Sequence, residues 1–174
     1  MSNPPVFKFA LSESLTESCK GTEFKPTDFL PTRATPVATG WDVRCAEKLG
    51  LTLEPGCYYK INLGFCFLPP EGWWCELKPR SSTFIKKNLH ALYGTIDSDF
   101  NHNFMFICQY NPDSCLMSAR NKPMTIEFGE RIGQLIPVKL QDMIVKEVTL
   151  FEISAGHAER ATGRDGGLGS TGDK

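Results

Sequence analysis

Short runs of β-branched and aromatic residues, separated throughout by glycine and proline, are the feature that most restricts the fold of this chain. The 174 residues include 15 glycines and 12 prolines, and such spacing favours many short strands over helices. Nine strands are predicted: Val6–Leu11, Trp41–Cys45, Tyr58–Leu68, Trp73–Lys78, His90–Ile96, Phe104–Tyr110, Met124–Phe128, Arg131–Leu140 and Val145–Ile153. The chain is therefore expected to be one all-β domain, a packed barrel or sandwich.

Two segments refine this expectation. Nearly every position of Phe104–Tyr110 is apolar, which is typical of a strand covered on both faces by a second sheet or a neighbouring subunit. Ser82–Lys87 is the one plausible helix, and it is too short to organise a helical domain.

Charge and cysteine usage exclude several classes of protein. Nineteen Lys+Arg residues against 20 Asp+Glu residues give a net charge of −1, which offers no field for the backbone of a nucleic acid. We find no targeting signal and no apolar run long enough for a membrane span, so no membrane partner is expected. The seven cysteines include no C-x-x-C pair, and we interpret them as reduced thiols of a cytoplasmic or nuclear protein rather than as a metal site or a disulfide framework.

The C-terminal segment Ser154–Lys174 differs from the rest because it is rich in glycine and contains no aromatic residue. It is either a flexible end or a lid. Its GGLGSTG sequence (Gly166–Gly172) offers unobstructed backbone N–H groups and two hydroxyls, which suit phosphate oxygens. The segment is not a P-loop, because G-x-x-x-x-G-K-[ST] is absent.

The sequence PRSST (Pro79–Thr83) places a guanidinium, hydroxyls and free amides at the end of a predicted strand. This combination suits a phosphate group. The alternative is a capping turn, in which Ser81 or Ser82 is the N-cap of a helix over Thr83–Lys87.

The sequence GTIDSDF (Gly94–Phe100) carries two carboxylates, Asp97 and Asp99. Either could order a water molecule or reach a magnesium ion. The alternative is a β-turn in which Asp97 and Ser98 accept backbone N–H groups.

Two further segments interrupt apolar strands with polar residues. In ERIGQLI (Glu130–Ile136), Arg131 and Gln134 need partners, which a ligand or a subunit interface could supply. In ATGWDV (Ala38–Val43), Asp42 could support a site, or could accept backbone N–H groups at the entrance of a strand.

Taken in order, LPTRATPVATGWDV, PRSST, GTIDSDF, ERIGQLI and GGLGSTG resemble the five motifs of the homotrimeric deoxyuridine triphosphatases (dUTPases). The resemblance spans roughly residues 28–172. It implies a distorted jelly-roll β-barrel that forms a trimer, with active sites at subunit contacts and a glycine-rich C-terminal arm that closes over a site. The implied organisation is an N-terminal extension with the first strand (1–27), a barrel (28–153) and the arm (154–174).

The resemblance also implies an activity, the hydrolysis of dUTP to dUMP and pyrophosphate. Water would attack the α-phosphorus in line, with Mg²⁺ bound mainly through the triphosphate and water. Asp97 matches the carboxylate that orients and deprotonates that water. Asp42 matches a carboxylate that supports the site, by orienting the surroundings of Asp97 or metal-bound water.

The remaining matches are substrate contacts. Arg80, Ser81 and Gln134 match phosphate-binding positions, and Phe100 matches a ring that packs against the deoxyribose. The implied substrate-binding set is Arg80, Ser81, Ser82, Ala91, Gly94, Thr95, Ile96, Phe100, Gln134, Arg164, Gly167, Leu168, Gly169, Ser170 and Thr171.

The chain departs from the family pattern at several of these positions. Phe100 replaces a tyrosine, Ala91 replaces an asparagine of the uracil-reading hairpin, and Leu168 replaces the phenylalanine that covers the base. Backbone groups between Ala91 and Gly94 could still read uracil. The usual arginine of the tail is Gly163 here, so that Arg164 or Arg160 would take its place.

Three other functions are alternatives. The related dCTP deaminases need a glutamate in the strand after the dicarboxylate turn, and Asn103–Asn111 contains no acid. A non-catalytic dUTPase-like nucleotide-binding or regulatory protein would have no need of Asp97. Hydrolysis of another deoxynucleoside triphosphate is the third alternative.

Overall fold

The computed structural model of the chain describes residues 3–112 and 122–160. The chain divides into two compact units, Met1–Gln141 and Asp142–Lys174. This division falls before residue 153, the end predicted for the barrel. Helices of the described residues are all too short or too polar to cross a membrane.

The first unit is built from antiparallel strands, and its all-β architecture, with few helices, confirms the predicted fold class. The strands are β1 (Lys8–Leu11), β2 (Thr32–Arg33), β3 (Trp41–Arg44), β4 (Leu51–Leu53), β5 (Tyr58–Asn62), β6 (Phe65–Leu68), β7 (Trp73–Pro79), β8 (Leu89–Ala91), β9 (Gly94–Ile96), β10 (Met105–Tyr110), β11 (Met124–Ile126) and β12 (Arg131–Lys139). The helices of this unit are α1 (Glu13–Cys19), a 3-10 turn (Pro26–Phe29) and α2 (Ser81–Lys87).

The strands form four small sheets. The largest has the order β2-β3-β12-β7-β9, and the others are β5-β10-β8, β1-β6 and β11-β4. In the largest sheet β12 lies between β3 and β7, so that Gln134 is opposite Asp42 on one side and Lys78 on the other. This arrangement brings three of the sequence motifs to neighbouring strands.

One core lies between the sheets. Phe65 and Phe104 stack with ring centroids 5.5 Å apart, and Phe67 tilts against Phe104 at 4.7 Å. Strand β10 contributes Phe106 and Cys108 to this core, but Met105 on its other face is exposed. The described residues of one chain therefore leave part of the other face of β10 uncovered.

The cysteines of the described residues are free thiols, and four of them are buried. Burial raises the pKa of the Cys45 and Cys75 thiols to about 12 and that of Cys108 to about 11. These side chains therefore behave as small apolar core residues at neutral pH.

The segment before the first motif forms α1 and the 3-10 turn, which the sequence analysis had not predicted. Leu15 and Cys19, four residues apart on α1, pack with Phe29 in a second small core. Arg44 ties the 3-10 turn beside this second core to the rest of the unit, because its guanidinium donates to the backbone oxygens of Asp28 (3.1 Å) and Gly129 (2.6 Å).

Three predicted strands need correction. Tyr58–Leu68 is two strands, because Gly64 breaks the run with φ +78°. His90–Ile96 is also two strands, since β8 pairs with β10 whereas β9 pairs with β7 in another sheet. The prediction of a strand over Val145–Ile153 is wrong.

In the second unit, helix α3 (Leu150–Glu159) occupies part of the predicted strand Val145–Ile153 and the first residues of the predicted arm. Thr149 and Glu152 explain the helix start. The Thr149 hydroxyl accepts from the Glu152 amide, while the Glu152 carboxylate accepts from the Thr149 amide at 2.8 Å. This reciprocal capping box favours helix at its sequence position.

Candidate functional site

Asp42 is the centre of the site. Its side chain is 8% exposed, and each carboxylate oxygen accepts from a different guanidinium. Arg80 Nε lies 3.1 Å from Oδ1, and an Arg131 Nη1 donor lies 3.1 Å from Oδ2. A buried carboxylate needs such partners, and it holds both arginines in fixed positions.

The backbone brings these residues together. Asp42 lies on β3, Arg131 begins the adjacent strand β12, and Arg80 directly follows β7 on the other side of β12. Arg80 Nη1 also donates to the Arg131 backbone oxygen at 3.4 Å. Three separate motifs thus supply one charged cluster with a net positive charge.

Gln134 lies beside this cluster, opposite Asp42 in the ladder. Its side-chain amide donates to the Pro79 backbone oxygen at 3.3 Å. Gly40 makes room for it, because a Cβ at residue 40 would overlap the end of the Gln134 side chain. The packing of Gln134 therefore explains why ATGWDV has a glycine at residue 40.

Helix α2 follows Arg80, which is its N-cap residue. Ser81 and Ser82 lie within the helix, so neither is the N-cap that the capping-turn interpretation required. The helix is fixed to the sheet by Thr83, whose buried hydroxyl donates to the Ile132 backbone oxygen at 2.8 Å, and by a 2.6 Å ion pair between Lys87 and Glu130.

A pocket of about 320 Å³ opens between α2 and the start of β12. Its lining residues are Arg80, Ser82, Thr83, Lys86, Lys87, Glu130 and Arg131. Four of these side chains are cations and one is a carboxylate, so the pocket suits a polyanion such as a chain of phosphates.

The dicarboxylate motif lies elsewhere on the chain. Asp97 is exposed and follows β9, and the Phe100 amide donates to its backbone oxygen at 3.2 Å. The Phe100 ring, 39% exposed, meets Phe104 edge to face with centroids 5.4 Å apart. The turn therefore presents a carboxylate and the partly exposed face of an aromatic ring.

Asp97 and Arg80 are at opposite ends of β7. Ile96, the residue before Asp97, pairs with Cys75 near the start of that strand. At roughly 3.4 Å per residue, Arg80 is about 17 Å further along. The structure of a single chain therefore brings Asp42, Arg80 and Gln134 together and leaves Asp97 and Phe100 apart from them.

The other predicted contacts are divided between these places and the tail. Gly94, Thr95 and Ile96 form β9 beside β7, while Ala91 ends β8 in a different sheet. The predicted tail contacts lie outside the described residues: Arg164, Gly167, Leu168, Gly169, Ser170 and Thr171. Their roles remain predictions.

The donor atoms of the described residues can be compared with what Mg²⁺ requires. Within residues 3–112 and 122–160, no three His, Cys, Asp or Glu side chains converge. Each carboxylate oxygen of Asp42 already accepts from a guanidinium, and the two positive charges beside it oppose the approach of a cation. Mg²⁺ commonly binds through substrate phosphates and water with few protein ligands, and these residues fit that mode.

Lys86, Lys87 and Glu130 were absent from the predicted site. Arg131 had been recognised only as a polar residue that needed a partner, and the structure identifies this partner as Asp42. A signal was present in the sequence, because Lys86 and Lys87 each follow a residue of PRSST, Ser82 and Thr83, by four positions. Helical spacing returns such side chains to the vicinity of the turn.

The family model for dUTPase matches residues 28–172. The chain belongs to the dUTPase family. The matched range contains all the residues of the site described above, and it confirms the resemblance drawn from the five motifs.

Individual dUTPases are also similar in sequence to this chain over most of its length. The deoxyuridine 5'-triphosphate nucleotidohydrolase of Rhizobium rhizogenes is 34% identical over 147 residues, which cover 82% of this chain and 85% of that protein. The enzyme of the same name from Neorickettsia sennetsu is 29% identical over 143 residues, covering 81% of this chain and 88% of that protein.

Solved dUTPase structures share the fold. A mutant dUTPase of Staphylococcus bacteriophage 80alpha, solved with dUpNHpp, superposes with a TM-score of 0.68 at 23% identity over 97% of this chain and 99% of that one. A mutant dUTPase of phage phi11 of S. aureus, which coordinates a structural Mg(II) ion, has a TM-score of 0.65 at 21% identity and covers 84% of this chain and 99% of that one.

Proposed function

We propose that this chain hydrolyses dUTP to dUMP and pyrophosphate. The observation that carries the proposal is the cluster of Asp42, Arg80, Arg131 and Gln134 beside a basic pocket, in a chain that belongs to the dUTPase family. The relatives named above carry that activity in their names.

The reaction is a displacement at the α-phosphorus. The oxygen of a water molecule forms a bond to that phosphorus, the bond from the phosphorus to the bridging oxygen breaks, and pyrophosphate leaves. Asp97 orients the water and takes its proton, a role typically worth about 10²–10⁴-fold in rate. Arg80, Ser81 and Gln134 bind the phosphate oxygens, where guanidinium and amide donors stabilise the spreading negative charge.

Mg²⁺ bound to the triphosphate of the substrate would neutralise part of the phosphate charge. Arg80 and the other cations of the pocket would bind the remaining phosphate oxygens. The structural Mg(II) of the phage phi11 relative shows that a dUTPase can hold this ion, and the pocket residues complement a substrate-borne metal.

The active unit is a homotrimer in which Asp97 of one copy faces Arg80 of another. Ile96, the neighbour of Asp97, pairs with Cys75, about 17 Å along β7 from Arg80, and this separation within one chain supports a site completed between copies. The exposed outer face of β10, including Met105, offers apolar surface for such a contact. The glycine-rich tail, with Arg164 and residues 167–171, closes over the bound nucleotide.

Phe100 supports selection of deoxyribose. A 2′-hydroxyl against its partly exposed ring would be crowded and unpaired. The backbone between Ala91 and Gly94 is the proposed reader of uracil, since main-chain donors and acceptors do not depend on the side chain at residue 91.

Pyrophosphate release from dUTP, dCTP, dTTP and UTP with magnesium tests the proposal. Rapid release is expected from dUTP alone, and Asp97→Asn should abolish it while circular dichroism stays unchanged. Asp142→Asn, at an exposed aspartate remote in sequence from the motifs, is the matched control. Binding of dUTP without turnover would instead support a non-catalytic protein, and turnover of another deoxynucleotide would reassign the substrate.

Removal of residues 162–174 tests the tail. Turnover should fall strongly while the oligomeric state and thermal unfolding are unchanged, because the deleted residues all follow the last described helix. Normal turnover by the truncated chain would contradict the lid.

A further inference from the structure

We infer that Lys86 of α2 is an additional binding residue for the triphosphate, on a helix face that is turned to the basic pocket beside Arg80. This inference rests on the proposed function and adds to it a residue that none of the sequence motifs had assigned.

Helix α2 presents two different faces. Thr83 and Lys87, four residues apart, are both held by β12 or the turn before it, through the Ile132 backbone oxygen and the Glu130 carboxylate. These two attachments, one buried and one partly buried, fix the rotation of the helix about its axis.

Because the rotation of the helix is fixed, the direction in which its neighbouring face points is fixed as well. Ser82 and Lys86 are also four residues apart, and both line the pocket together with Arg80. Side chains at this spacing lie one above the other on a helix. Lys86 is exposed at the pocket rim, where its flexible stem lets the ammonium reach an anion held near Arg80.

The charges of the pocket set Lys86 apart from its neighbours. Arg80 and Arg131 are paired with Asp42, and Lys87 is paired with Glu130. In the described ranges 3–112 and 122–160, Lys86 has no carboxylate within ion-pair distance. Lys86 is thus the pocket cation that has no carboxylate partner among the described residues, and a triphosphate is the anion proposed for this pocket.

Kinetics of Lys86→Met with dUTP and magnesium test the inference. KM should rise about three- to tenfold, because an ion pair to a bound polyanion at a solvent-exposed rim is lost, whereas kcat should stay within about twofold. Lys86→Arg keeps the charge and should restore most of the affinity. Lys48→Met, at an exposed lysine outside the pocket and outside the five motifs, removes the same charge and should leave KM unchanged.

The salt dependence of KM distinguishes a charge interaction of Lys86 with the substrate from a purely structural role of this residue. The KM ratio between Lys86→Met and the unmodified chain should shrink as salt is raised from about 0.05 to about 0.5 M, since screening weakens the interaction that the variant lacks. An equal KM for the two proteins at low salt would overturn the inference.

Binding of inorganic tripolyphosphate, measured by calorimetry on the same variants, separates this inference from the proposed function. Weaker binding by Lys86→Met than by Lys48→Met supports the role of Lys86 even if the chain fails to hydrolyse dUTP, and that failure would count against the proposed function alone. No binding of tripolyphosphate by the unmodified chain, or equal binding by both variants, would refute the assignment of Lys86.

Discussion

Asp42 combines burial with two positive partners, and this combination predicts the result of its neutralisation. Asp42→Asn leaves Arg80 and Arg131 facing each other without the charge that holds them. Because both arginines are partly exposed, the expected loss of unfolding free energy is about 1–3 kcal/mol, less than for a fully buried pair. Urea unfolding would measure it, with Asp142→Asn as the control.

Turnover of Asp42→Asn should fall as well, because the Arg80 guanidinium loses its fixed position. An unchanged kcat/KM for dUTP in a folded Asp42→Asn protein would show that the arginine position does not depend on this carboxylate.

Gly40 offers a substitution that separates activity from stability. Gly40→Ala forces the end of the Gln134 side chain to move, because the new Cβ would overlap it. That movement breaks the bond to the Pro79 backbone oxygen, at a stability cost of about 1 kcal/mol. We expect kcat/KM for dUTP to fall about tenfold or more, since the displaced amide is a proposed phosphate contact.

Gly156→Ala is the control for Gly40→Ala, because a Cβ at residue 156 meets nothing within 4 Å. If Gln134 is the only target, Gly40→Ala should have no additional effect in a Gln134→Ala background. A further loss of kcat/KM in the double variant would place the effect of Gly40 elsewhere.

At the level of elements, polar residues that interrupt an apolar strand were a partial guide. The sequence showed that Arg131 and Gln134 needed partners and assigned these to a ligand or a subunit interface, whereas Asp42 and the Pro79 backbone of the same chain supply them. The apolar runs that predicted β7, β10 and β12 also correspond to strands of the structure, and one face of each strand enters the core. The position of Asp97 relative to Arg80 could not be read in this way, since it depends on which strands pair.

Strand-type composition misled where a local signal opposed it. VKEVTLFEI is rich in β-branched and apolar residues, yet Thr149 and Glu152 form a capping box that begins α3 at Leu150. Gly64 and the change of sheet after Ala91 divided two other predicted strands. Pairing partners, rather than residue preferences, decide such boundaries.

The start of α3 is expected to depend on pH. Hydrogen bonds from the Thr149 amide and hydroxyl lower the pKa of the exposed Glu152 carboxyl below its ordinary value of 4.5. Capping is therefore complete above about 4.5 and is lost as the pH falls through the lowered pKa. Amide chemical shifts of residues 149–153 should change in that range, and Glu152→Gln should remove the transition. A transition that persists in Glu152→Gln would assign it to another group.

At the scale of the whole molecule, the buried thiols predict loss of stability in base. The unfolded chain releases thiol protons near pH 9, while Cys45 and Cys75 retain theirs to about 12 and Cys108 to about 11. The free energy of unfolding should therefore fall as the pH rises above about 9, by up to roughly 1.4 kcal/mol per pH unit for each thiol.

Urea unfolding between about pH 8 and about pH 10.5 in reductant measures this slope. Cys75→Ala should reduce the slope, whereas Cys57→Ser, at an exposed cysteine, should not. Equal slopes for the two variants would show that thiol burial does not control the alkaline limit.

The largest consequence of the fold for the proposed function concerns the place of Asp97. Asp97 and Arg80 lie at opposite ends of β7, and the proposed site therefore combines Asp97 of one copy with Arg80 of another. Asp97→Asn and Arg80→Ala should each be inactive alone and should complement each other when co-refolded. In an equal random mixture, a site draws an intact Asp97 and an intact Arg80 with a probability of about one quarter. Pyrophosphate release near a quarter of the unmodified rate is therefore expected.

The double variant Asp97→Asn/Arg80→Ala, co-refolded with the unmodified chain in the same ratio, is the control for this experiment. In this control mixture, about one quarter of the sites are intact if Asp97 and Arg80 come from different copies. About one half are intact if both residues come from the same copy. A site shared between copies predicts about one quarter of the unmodified rate in both mixtures, that of the two single variants and that of the double variant with the unmodified chain. This result would show that Asp97 and Arg80 of one site come from different copies. No recovery in the first mixture together with one half in the second would place both residues in the same chain and would contradict the shared site.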